Sequence, residues 1–133
     1  MNRRFIIASL SVWAFIWLFE GVFHGIILNP FYMETAEFWR PRQEMDDRCV
    51  WLILGEGIFS FLFTFIFTKG RESRDIGEGA RYGWWVGLLL ASLNLVMYAV
   101  SPLPVKLLVA WSLGVLVKTT LAGTIAAAVY RPR

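Results

Sequence analysis

Glu20 and His24 stand four residues apart inside an apolar stretch, and Glu56, Asn94 and Lys118 each interrupt an apolar stretch of their own. Two carboxylates, an imidazole, an amide and an ammonium are therefore the side chains to which chemistry would fall. In hydrocarbon an ionisable side chain costs about 2.5–3.5 kcal/mol on insertion scales, so such groups turn toward other protein and pair. Lys118 can neutralise one glutamate, and the second then needs a proton, a cation or His24. Two carboxylates sharing one pocket release their protons in separate steps, which is a starting condition for proton exchange. The same groups also suit a static network that fixes how helices pack. Glu20, His24 and Glu56 supply three ligands of a kind metals accept. Dimetal bundles, however, use Glu-x-x-His on two helices, whereas this chain has one histidine and sets Lys118 against a cation. A haem with two histidine ligands would need a second copy of His24. No glycine-rich phosphate loop, serine-histidine-acid set or zinc-protease helix is present, so neither an enzyme nor a resident cofactor is expected.

The elements that carry these residues are set by composition. Of 133 residues 57% are hydrophobic and 17% aromatic, above the roughly 45–50% apolar content of soluble domains. The apolar residues run in long blocks that a water-exposed helix with a polar face would not show. Four spans are expected, at 5–28, 49–68, 80–100 and 105–130, with a long loop at 29–48 and a shorter one at 69–79. Asn29-Pro30, Lys69-Gly70, Ser101-Pro102-Leu103-Pro104 and Arg131-Pro132 punctuate their ends, because proline and glycine disfavour helix continuation. The fold class is an all-α integral membrane protein, an antiparallel bundle of four transmembrane helices in a single domain. At about 1.5 Å per residue, Glu20, Glu56 and Asn94 fall within roughly 6 Å of their spans' midpoints, and Lys118 sits near its own. His24 lies one turn nearer the first loop, on the face of Glu20. The residues are expected to converge.

Sidedness follows from positive charge, which is retained in the cytoplasm. Arg3, Arg4, Lys69, Arg71, Arg74, Arg81, Arg131 and Arg133 fall on the side of the termini, against Arg40, Arg42, Arg48 and Lys106 on the other. Both termini are thus expected inside. The formal net charge of +3 belongs to residues flanking spans rather than to a basic stripe, which excludes nucleic acid as a partner. Cys49 is the sole cysteine, too few for an internal disulfide or zinc knuckle. The start resembles a signal peptide, but its apolar run reaches Leu28 without an A-x-A site and reads as a retained span.

Small residues indicate packing. Gly79, Gly83, Gly87 and Ala91 recur every four residues, and Gly21 and Gly25 repeat that spacing; such stripes let backbones approach within the chain or against another subunit. Phe59, Phe61, Phe63, Phe65 and Phe67 alternate as a strand would. An open strand in lipid would leave backbone groups unpaired, so a helix is expected there. Trp51, Trp84, Trp85 and Tyr130 suit interfacial belts, while Trp13 and Trp17 lie deeper and suggest protein contacts or a lined cavity. Within the long loop, Thr35 to Met45 is a candidate for a short surface helix.

Phe23-His24-Gly25, Phe38-Trp39-Arg40-Pro41, Phe67-Thr68-Lys69-Gly70, Gly77-Glu78-Gly79 with Arg81-Tyr82-Gly83, and Tyr130-Arg131-Pro132 together resemble an uncharacterised family of small four-span bacterial inner-membrane proteins. The resemblance covers nearly the whole chain and implies a bacterial inner membrane and four helices, with no activity. In size, span count and a first-span glutamate the chain is also similar to small multidrug-resistance transporters. It departs from them in its charged first loop, its central Lys118 and its strong charge bias. The expected function is a non-catalytic accessory or assembly subunit contacting lipid and other membrane subunits or a second copy of itself. A small proton-coupled transporter or channel is the alternative, and metal binding a weaker one.

Overall fold

A computed structural model describes residues 2–130; Met1 and the Arg131, Pro132 and Arg133 of the expected terminal motif and charge count lie outside the described residues. Helix α1 spans Arg3–Val22, and the side chain of Asn2 caps it by accepting from the Arg4 N–H at 3.2 Å. It continues through a π-helical turn, Phe23–Ile27, closed by the Leu28 N–H on the Phe23 carbonyl at 2.8 Å. Helix α2 (Asn29–Glu34), a 3₁₀ turn (Ala36–Phe38) and α3 (Arg42–Asp47) make up the long loop. Three long helices follow, α4 (Cys49–Gly70), α5 (Ile76–Val100) and α6 (Val105–Val129).

Four helices are long and apolar enough to cross a membrane: Arg3–Ile27, Cys49–Gly70, Ile76–Val100 and Val105–Val129. At about 1.5 Å per residue the shortest is about 33 Å long, enough for a hydrocarbon core of about 30 Å. The first span ends at Ile27, beside the expected Leu28, and Pro30 occupies the first turn of the separate helix α2, where its missing N–H costs nothing. The third span begins at Ile76 rather than 80, since the Asp75 side chain accepts from the Gly77 N–H at 3.1 Å and caps it. The surface helix expected at Thr35 to Met45 is broken, with Trp39 extended before Arg40-Pro41; the residue before a proline avoids helical geometry.

Packing concentrates at the end that carries the termini. There Val12 and Ile16 of α1, Phe63 and Phe67 of α4, and Ala122, Ala126 and Ala127 of α6 form one core. Helix α1 packs on both α4 and α6, while α5 lies along α6. The α5–α6 contact is made by small residues: a Cβ at Gly79 would fall 2.1 Å from the Gly123 carbonyl, and one at Gly83 2.0 Å from the Thr119 carbonyl. Gly87 meets Thr119 and Leu116 in the same way. Tyr82 ties α5 to α4, its hydroxyl donating to the Phe63 carbonyl at 2.8 Å with its ring 4.8 Å from that of Phe63. At the same end Arg71 donates to the carbonyls of Ala127 and Tyr130, which α6 leaves without helical partners. The phenylalanine run is helical: Phe63 and Phe67 are buried, while Phe61 and Phe65 flank the ring of Phe5.

Toward the long-loop end the contacts thin out. Val50, Trp51, Leu52 and Leu54 of α4 are exposed, as are Leu93, Leu95, Val96 and Val100 of α5. Trp13 lies over Gly57 and lines a shallow apolar groove of about 350 Å³ with Ile53, Leu54, Ile58, Phe61 and Leu62. Trp17 is exposed rather than set in a cavity.

Candidate functional site

The four-residue spacing of Glu20 and His24 puts both on the face of α1 that meets α6. Lys118 comes from the middle of α6 and donates through Nζ to Glu20 Oε1. The other carboxylate oxygen, Oε2, is 2.7 Å from His24 Nε2. His24 Nδ1 is in turn 2.5 Å from the Tyr32 hydroxyl, and Trp111 Nε1 donates to that hydroxyl at 2.8 Å. One line of side chains, Lys118, Glu20, His24, Tyr32 and Trp111, thus runs from mid-span to the long-loop end, over α1, α2 and α6.

A neutral histidine ring satisfies the donors and acceptors of this line. An indole N–H can only donate, so Tyr32 oxygen accepts from Trp111 and has its own proton to give. Its nearest acceptor is His24 Nδ1. In that arrangement the imidazole proton is on Nε2, which donates a hydrogen bond to the Glu20 carboxylate. Each neighbouring pair in the line then has one donor and one acceptor. The side chains of Lys118 and Glu20 are 17% and 19% exposed, and that of His24 is 40% exposed. The ion pair is therefore shielded while the imidazole retains an open edge.

The long loop closes over this site. Trp39 packs edge-on against Tyr32 and Trp111, with centroids 5.4 and 6.0 Å away, and donates at 2.8 Å to Thr35, whose hydroxyl donates to the Phe31 carbonyl. Lys106, at the start of α6, pairs with Glu34 and lies 5.0 Å from the Phe31 ring centre. Burial, with the Glu20 carboxylate adding to it, pushes the Tyr32 phenol above its usual range against the effect of Trp111's donation.

Glu56 and Asn94 are not members of this hydrogen-bonded line. Glu56 lies within electrostatic reach of Glu20, Lys118 and His24, but its Oε2 is buried with no hydrogen-bond partner. Asn94, on α5, lines a small space with Tyr98, Leu103, Leu108 and Trp111, the last of these being the far end of the line. Ala91 shares that half-buried face, whereas Gly21 and Gly25 face open space, with nothing within 4 Å of a Cβ at either. Among the described residues no three of His, Cys, Asp and Glu are grouped to hold a metal.

Tyr32, Trp39, Trp111 and Gly114 escape sequence reasoning. Trp111 and Gly114 precede Lys118 by seven and four residues, so helical periodicity puts them on its face. Gly114 makes room for the Phe23 ring, which a Cβ there would approach to 2.3 Å. Tyr32 and Trp39 carry no such signal, since loop conformation alone brings them back. Comparisons with protein families, with curated proteins and with solved structures return no match.

Proposed function

We propose that this protein is a non-catalytic multi-pass protein of a bacterial inner membrane, acting as an accessory or assembly subunit of a larger membrane complex. In this reading the four spans form an antiparallel bundle with both termini in the cytoplasm. Arg3, Arg4, Lys69, Arg71, Arg74 and Arg81 cluster toward one end of the helices, as positive-inside topology requires. The observation that carries the subunit reading is an asymmetry between glycine ridges: that of α5 is filled by α6, whereas Gly21 and Gly25 of α1 meet nothing within this chain. A bare small-residue ridge lets a foreign helix approach closely. Extraction in mild detergent followed by native mass determination tests this. A defined larger assembly that Gly21→Leu dissolves is the expected result; free monomer alone would overturn it. Cys49, the single cysteine at the long-loop end, should react with an impermeant maleimide from outside the cell.

The second reading, a small proton-coupled transporter or channel, is favoured by one observation, the unbroken line from Lys118 to Trp111. In liposomes loaded with a pH-sensitive dye, Glu20→Gln should abolish a proton flux that the wild type supports. Identical traces would remove this reading.

A further inference from the structure

We propose that His24 is a proton-binding site governed by Lys118: when the ammonium leaves Glu20, a proton enters on His24 Nδ1 from the long-loop end. The inference goes beyond both functional readings and concerns the isolated chain, so its failure leaves the subunit reading untouched.

The argument begins with charge. A site shielded from water holds charges only in balanced sets. Glu20 and Lys118 cancel, and the contacts of His24 are those a neutral ring can make, with Nδ1 accepting and Nε2 donating. A protonated Glu56 adds no charge, and the group then sums to zero. The other charges near the site are spoken for: Glu34 of α2 is paired with Lys106 of α6, and Glu44 of α3 lies against Arg40 and Arg48. Glu78 and Arg81 of α5 lie at the opposite end of their helix. Removing the Lys118 charge thus leaves Glu20 unbalanced, and a base beside it can restore neutrality while the carboxylate stays ionised. That base is His24, already 2.7 Å from Glu20.

Geometry supplies the entry. Tyr32 holds its proton toward Nδ1 at 2.5 Å, and His24 is 40% exposed. In the step, the Tyr32 hydroxyl gives its proton to Nδ1 and takes one from hydronium at the long-loop end, leaving water there, while the Nε2 proton stays on the ring and hydrogen-bonded to Glu20. Two O–H bonds break, one in Tyr32 and one in hydronium, one N–H and one O–H bond form, and no oxidation state changes. The π-helical turn Phe23–Ile27 contains His24, and such turns recur where a helix orients functional side chains. Because Lys118 belongs to α6 and Glu20 to α1, any movement that separates these helices becomes coupled to proton uptake.

The chain contains one histidine, so selective ¹⁵N-histidine labelling reports His24 alone. In the full chain in lipid nanodiscs near neutral pH, the wild type should show the neutral Nε2–H tautomer. Lys118→Met should raise the protonated fraction at the same pH about tenfold or more, the equivalent of one pH unit. Lys118→Arg, which keeps the charge, should restore the neutral ring. An Nδ1–H tautomer in the wild type, or a neutral ring in Lys118→Met with native helix content, would overturn the proposal. Should Lys118→Met fail to fold, Tyr32→Phe decides: at a shared pH, proton exchange between the ring and water should slow several-fold, and an unchanged rate would refute the entry route. In Lys118→Met with Glu56→Gln the imidazolium should persist, and its loss would show that Glu20 is not its counterion.

Discussion

Glu20→Gln should destabilise the protein more than Lys118→Met, although both break the same ion pair. Among the described residues Glu20 is the only hydrogen-bond acceptor of Lys118, whereas Glu20 also has His24 at 2.7 Å. Both pair members are less than one-fifth exposed. Removing one partner of a buried pair costs about 3–5 kcal/mol, and an uncompensated charge at mid-span about 2.5–3.5 kcal/mol. Glu20→Gln strands Lys118 and should cost about 3 kcal/mol on these figures. Lys118→Met leaves a charge-assisted hydrogen bond worth about 1.5–3 kcal/mol in place, so its cost should be about 1–2 kcal/mol. The double variant strands nothing and should cost no more than about 1 kcal/mol, giving a coupling of about 3–5 kcal/mol. Neutral interhelical hydrogen bonds in membranes average only about 0.6 kcal/mol. Unfolding by sodium dodecyl sulfate in mixed micelles, followed by tryptophan fluorescence, measures all four species. A coupling at or below that neutral value, or a Lys118→Met variant weaker than Glu20→Gln, would refute the reasoning.

Three further outcomes are expected. Gly83→Ala puts a Cβ 2.0 Å from the Thr119 carbonyl and should sharply lower the unfolding midpoint, whereas Gly21→Ala meets nothing within 4 Å and should be neutral or stabilising by up to about 1 kcal/mol. Gly114→Ala drives a methyl to 2.3 Å from the Phe23 ring; Phe23→Leu should recover part of that loss in the same titration. Because the Tyr32 phenol is raised in the folded chain, ionising it opposes folding, so its stabilising effect is full below the unfolded value near pH 10 and is lost as pH rises through the folded value. Tyr32→Phe should flatten the alkaline fall in stability, read as unfolding midpoint against pH; an unchanged slope would contradict the burial of that hydroxyl.

The sequence by itself determined the four long helices, because each apolar block exceeds the length of a bilayer core and contains the periodic small residues that let helices approach. It also determined that Glu20, His24, Glu56 and Lys118 belong near one another, since charges in apolar spans seek partners. Helix ends were legible to within a few residues; Asp75 moved the start of the third span through capping, which depends on local dihedral angles. Only the tertiary structure decided which helices meet. Depth along a span is a sum over residues, but rotation and neighbour choice depend on shape, and so Asn94, expected at the depth of Glu20, lines a space with Tyr98, Leu103, Leu108 and Trp111 instead of joining the ion pair. The same limit separates the two glycine ridges: Gly79, Gly83 and Gly87 find Thr119 and Gly123, while Gly21 and Gly25 find none, though their spacing is identical. Tyr32 and Trp39 enter the site because the loop folds back over it, and no periodicity in sequence records that return.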